Sequence, residues 1–132
     1  MTIYQLIYAS EPFGFDDGLL SSILWVSRRN NQRDGITGAL ICRRDIYLQL
    51  LEGPEASVEA AFARIVGDDR HLAVHRLVSG KVAARVFPDW AMRDDPARSW
   101  LWNEVEVGAG AVKAAGPGEL QAVFARVARE SA

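Results

Sequence analysis

Residues 2–9 (TIYQLIYA) alternate so that Thr2, Tyr4, Leu6 and Tyr8 share one face and Ile3, Gln5, Ile7 and Ala9 the other. Both faces are largely apolar, which predicts a strand covered on both sides and central in its sheet. The period then changes. Leu20, Ile23, Leu24, Ser27 and Asn31 fall at helical spacing and predict a helix over about 17–31, with Gly35 as its terminator. Residues 36–43 and 46–52 read as two strands joined at Arg44–Asp45, a hairpin. After Gly53–Pro54 a second helix is expected over about 55–66, with Val58, Ala61, Phe62 and Ile65 inward and Gly67 closing it. A fourth strand is expected over about 72–79 and a fifth over about 85–93 (RVFPDWAMR), where Pro88 imposes an edge-like start. Beyond Trp100 and Trp102 comes a Gly/Ala-rich stretch, 108–118. A short helix over about 119–130 then presents Leu120, Val123, Phe124 and Val127.

The order β-α-β-β-α-β-β begins as a ferredoxin-like split βαβ, an α+β fold. In it the first and third strands are central neighbours and both helices cover one face. The second face of the first strand still needs a cover, and the C-terminal helical segment can supply it. The expected organisation is one compact domain: a core over 1–95 and a C-terminal cap over 96–132.

Composition narrows the functional classes. With 49% apolar and 24% charged residues, the 132-residue chain has the makings of one packed core. A formal net charge of -2, and no basic stripe beyond Arg28, Arg29 and Arg33 with Asp34 beside them, argues against nucleic acid. No apolar run reaches the roughly 18 residues of a membrane span, and no signal peptide is evident, so a cytoplasmic protein without membrane attachment is expected. The lone Cys42 sits in an apolar run and reads as a small core residue. His71 and His75 lack a third ligand nearby, so no metal is expected. Phosphate loops, dinucleotide fingerprints, nucleophile elbows and HExxH are all missing, and no enzymatic activity is expected.

What stands out is polar residues on apolar faces. Gln49 lies mid-strand in IYLQLLE beside Tyr47 and Leu51. A buried carboxamide left unpaired costs about 1–3 kcal/mol, so it needs a neighbouring side chain, a ligand or an exposed edge. Asn31 continues the apolar stripe of the first helix, as a cap residue or a ligand contact. Tyr8 ends the first strand, as a core tyrosine or a site residue. On the split βαβ topology the three converge near a slot between the two helices. Apolar walls with a few placed donors and acceptors suit a planar heteroaromatic ligand.

At residues 3–93 the chain resembles the BLUF family, blue-light sensors that use flavin. The resemblance rests on LIYAS, NNQRDGITGAL, YLQLLEGP, DDRH and RVFPDWAMR in this order and spacing. It implies a blue-light photoreceptor binding FAD non-covalently; FMN or riboflavin would serve equally, because the ring contacts do not read the tail. It implies a ring between the two helices, walled by Ile23 and Ile65, with Asn31 and Asn30 at its pyrimidine edge. Gln49 would sit between the ring and Tyr8, with Arg70 and His71 nearby. Trp90 and Met92 match the family's mobile segment. Light would draw an electron from Tyr8, move a proton through Gln49 and leave that amide rotated or tautomerised. The fifth strand and the segment 96–132 would carry the signal to a separate downstream protein, in a homo-oligomer. Two other readings stay open on the residues alone: a ferredoxin-like interaction module without cofactor, and a small hydrolase of acylphosphatase type.

Overall fold

The computed structural model describes residues 3–12, 17–68, 71–89, 92–96 and 100–130. Strands β1 (Ile3–Pro12), β2 (Thr37–Arg43), β3 (Ile46–Gly53), β4 (His71–Val82) and β5 (Arg93–Pro96) form one sheet in the order β4-β1-β3-β2-β5. The first four are joined by antiparallel ladders, and β5 adds a parallel edge beside β2. Helices α1 (Asp17–Asp34) and α2 (Glu55–Val66) cover one face. On the other lie α3 (Glu104–Gly108), α4 (Ala111–Ala114) and α5 (Pro117–Glu130). The central place of β1, the hairpin and the shared face of the two helices are as the hydrophobic pattern predicts.

The fifth strand is not. Within 85–89 no residue is in a strand; the described pairing begins at Arg93. The reason lies in where the backbone donors go. The N–H groups of Val86 and Phe87 donate to the two carboxylate oxygens of Glu52 at 2.8 and 2.7 Å. Pro88 has no N–H to offer a ladder. Arg85 reinforces the loop by donating to Thr37 Oγ1, the Glu52 carbonyl and the Gly35 carbonyl. Glu52 is fully buried, and that burial raises its carboxyl pKa even though three donors face it.

Alternation divides the core into two layers on either side of the sheet. Leu6, Tyr8, Ile23, Leu24, Leu40, Leu51, Val58, Phe62 and Met92 pack on the α1/α2 side. Ile7, Ala39, Ile41, Leu48, Leu50, Phe87, Leu120, Phe124 and Val127 pack on the α5 side. Trp100 and Trp102 are partly buried against this second layer. Trp100 Nε1 donates to Glu130, and the Arg126 guanidinium lies over its ring. Trp100 thus docks the C-terminal helix, while the Trp102 carbonyl accepts from Arg43 of β2. Gln121 of α5 donates to Gln5 of β1 at 3.0 Å, tying the cap to the central strand.

One glycine sets the spacing of the hairpin. A Cβ on Gly38 would stand 1.9 Å from the Leu50 carbonyl oxygen, so no larger residue fits there without moving β3.

Candidate functional site

The C-terminal end of α1 fixes Asn31. Gly35 takes a left-handed conformation at φ 73°, and Ile36 N–H donates back to the Asn31 carbonyl at 2.9 Å. This is the six-to-one bond of a Schellman closure, with Ile36 then entering the core. Asn31 is held on the last turn with 3% exposure, facing α2 rather than solvent.

Register fixes Tyr8 and Gln49. In the β1–β3 ladder they are direct cross-strand partners, which parity alone leaves open. The Tyr8 hydroxyl donates to Gln49 Oε1. Gln49 Nε2 donates to the Met92 sulfur at 3.1 Å. A primary amide carries two N–H donors and accepts at its oxygen, so this chain of contacts defines which end of the amide is which. Tyr8 is entirely buried, Gln49 3% exposed and Met92 1% exposed. Burial holds the Tyr8 phenol far above its ordinary pKa, with the Asp68 and Tyr47 charges adding to the shift. The phenol is therefore neutral and keeps its proton on the bond to Gln49.

Gln49 opens onto a cleft of about 230 Å³ between α1 and α2. Ile23, Val26, Leu51, Ala61 and Ile65 form its apolar lining, and Asn30, Asn31, Asp68 and His71 bring polar groups. The cleft lies below the roughly 300–1,000 Å³ of pockets that enclose a whole drug-sized ligand. It suits a flat ring system whose substituents leave the protein. His71 shares a 2.8 Å hydrogen bond with Ser10 Oγ and packs its ring against Tyr8 and Tyr47. Arg70 and Trp90 lie outside the described residues.

Of the residues singled out from the sequence, Tyr8, Gln49 and Met92 meet in one hydrogen-bonded chain. Ile23, Asn30, Asn31, Ile65 and His71 line the cleft beside it. Met92 reaches Gln49 from just before β5, not from within a strand. Val26, Leu51, Ala61, Arg64 and Asp68 also line the cleft without having been singled out as site residues. Val26 lies one helical turn from both Ile23 and Asn30 and was legible in that spacing, and Ser27 lines the cleft from the helical stripe on which the sequence places it. Ser10 has the parity of Tyr8 and so lies on the cleft side of β1. Among the described residues there is no cluster of three or more His, Cys, Asp or Glu placed to hold a metal. No described helix is long and apolar enough to cross a membrane.

A larger opening of about 410 Å³ lies on the other side of the sheet, between the end of β1, the β2–β3 turn, α3 and α4. Its charged residues are mixed in sign (Glu11, Arg44, Asp45, Glu104, Lys113), and it contains no part of the Tyr8–Gln49 pair.

Comparison with known proteins agrees with the geometry. Residues 3–93 match the BLUF family, described as sensors of blue-light using FAD. The photoactivated adenylate cyclase subunit alpha of Euglena gracilis is 28% identical over 93 residues, 68% of this chain. The match spans 9% of that cyclase subunit. The dark-state structure of the BLUF protein BlrB is similar over 98% of this chain and 97% of its own, with TM-score 0.77 and 27% identity. Klebsiella pneumoniae BlrP1, solved with FMN and cyclic diGMP, is similar over 71% of this chain and 26% of its own, with TM-score 0.65 and 31% identity. A flavin ring fits what the cleft offers: apolar walls, carboxamides at its rim, and an inner amide already polarised by a phenol. The chain belongs to the BLUF family of flavin-binding blue-light sensors.

Proposed function

We propose that the cleft between α1 and α2 holds the flavin ring and that Tyr8, Gln49 and Met92 are the hydrogen-bond switch light acts on. The observation that carries this is the buried chain from Tyr8 to Gln49 Oε1 and from Gln49 Nε2 to the Met92 sulfur, at the inner wall of the cleft. Ile23 and Ile65 would wall the ring; Asn30 and Asn31 would hold its hydrogen-bonding edge. His71 would close the inner end together with Ser10, and Arg70 is proposed nearby on the resemblance alone. FAD is the expected form, and a cleft of ring size accepts FMN or riboflavin as well.

Bound there, flavin supplies absorption of blue light and an excited state that takes up an electron. The chain's residues do the rest. Tyr8 would be the donor: buried and neutral, it already holds its proton on the bond to Gln49 Oε1, the path the proton would take with the electron's departure. On return of electron and proton the phenol would be restored and the amide left turned or tautomerised. A half-turn sets Oε1 against the Met92 sulfur. Two acceptors then face each other with no proton between them, so Met92 must move. That displacement is the signal leaving the site. It would pass along residue 90, β5 and the segment 96–132 to a separate downstream protein, in a homo-oligomeric assembly. The sensor segment itself needs no catalytic group for this.

The test is a dark/light difference spectrum of the purified, yellow protein. A red shift of the flavin bands that decays in the dark is expected. Tyr8→Phe and Gln49→Leu should abolish it while leaving flavin bound. An ordinary photocycle in Gln49→Leu would refute the switch.

A further inference from the structure

Residues 86–92 are tied down at both ends. At one end Glu52 receives the N–H groups of Val86 and Phe87. At the other, Arg28 Nε donates to the main-chain carbonyl of Met92 at 2.9 Å. The two anchors differ in what release would cost. Glu52 is wholly buried and takes both main-chain N–H groups, so releasing them would leave a buried carboxylate short of partners. Arg28 stands on the exposed outer flank of α1, beside Trp25 and Arg29 in an open groove. A guanidinium that swings away there is taken up by solvent, although Met92 itself stays buried. The Met92 end is therefore the one that can let go and re-form.

We propose that Arg28 is a positioning residue for the switch: it holds the Met92 main chain so that the thioether faces Gln49 Nε2, and it releases that carbonyl when the amide turns. The inference rests on the flavin reading of the cleft. Its physical content is a competition. In the dark arrangement the Gln49–Met92 and Arg28–Met92 bonds support each other. In the lit arrangement the sulfur is repelled, and the Arg28 bond resists its departure. Removing Arg28 makes departure cheaper, so the lit state lasts longer.

The experiment is dark recovery after a blue flash in flavin-loaded wild type, R28A, R28K, M92A and R28A/M92A. R28A should keep its flavin and its red shift yet recover more slowly, by about threefold or more. R28K should restore part of the rate. In the M92A background, R28A should change nothing, because no thioether is left to position. Wild-type recovery in R28A overturns the proposal; so does equal slowing by R28A with and without Met92, the signature of a merely structural role. If R28A fails to fold, R28K and R28Q in both backgrounds decide the same question. A wild-type chain with no red shift overturns the flavin reading as well, which separates the two failures.

Discussion

The switch proposed for Gln49 rests on an amide whose two ends are chemically different and whose two neighbours are not interchangeable. A phenol can donate or accept, whereas a thioether only accepts, and weakly. The carboxamide therefore has one comfortable orientation in the dark. Asn31 is placed differently, since the Schellman closure of α1 fixes its backbone and its side chain lines the cleft. Asn31→Ala should weaken flavin retention by about tenfold, or roughly 1.4 kcal/mol, while the closure survives. Equilibrium dialysis of the flavin checks this, and unchanged affinity removes Asn31 from the site. Gln49 and Asn31 were visible in the sequence because a carboxamide on an apolar stripe demands a partner. Arg28 was not: it reads as part of a solvated basic cluster, and periodicity carries no information about how far a long side chain reaches across layers.

At the scale of elements, the hairpin and both long helices were legible from period and punctuation. The fifth strand was misplaced because a buried side chain took the backbone donors that a ladder would have used. Sequence pattern registers Pro88 but not the Glu52 carboxylate arriving from 34 residues away. Tertiary ties of this kind also hold α2 to the sheet. Arg76 of β4 makes a two-pronged pair with Glu59 of α2 at 2.6 Å on both oxygens, and its guanidinium lies over the Phe62 ring. Tyr4 of β1 adds a third donor to Glu59. Arg76 and then Tyr4 bring the Glu59 carboxyl from an ordinary 4.5 down to about 2. A depressed carboxyl pKa contributes stability above the ordinary value and loses it as pH falls through the depressed one. The gap in denaturation midpoint between the parent and Glu59→Gln should therefore be full above pH 4.5 and close on the way to pH 2. A gap constant across that window would show that the pairing does not set it.

As a whole, the molecule is a sheet between two covers with separable duties. One cover contains the cleft proposed to hold flavin, and the other is α5 with its tryptophan docking. Phe124, wholly buried and edge-on to Phe87 at 6.5 Å, anchors the second cover. Phe124→Ala should cost about 3–5 kcal/mol in chemical denaturation. The flavin red shift should persist in the fraction that stays folded, because Phe124 lies on the side of the sheet away from Gln49. A lost red shift in folded protein would mean that the covers are not independent.

Strand β3 makes their separation thin. Gln49 points to one cover while its immediate neighbours Leu48 and Leu50 point to the other. On the proposed reading, the amide that light acts on and the leucines under α5 are thus divided by one peptide unit. A twist of that unit too small to disturb the ladder would tilt leucines under α5, giving a route to the far side that bypasses the loop after β4 altogether.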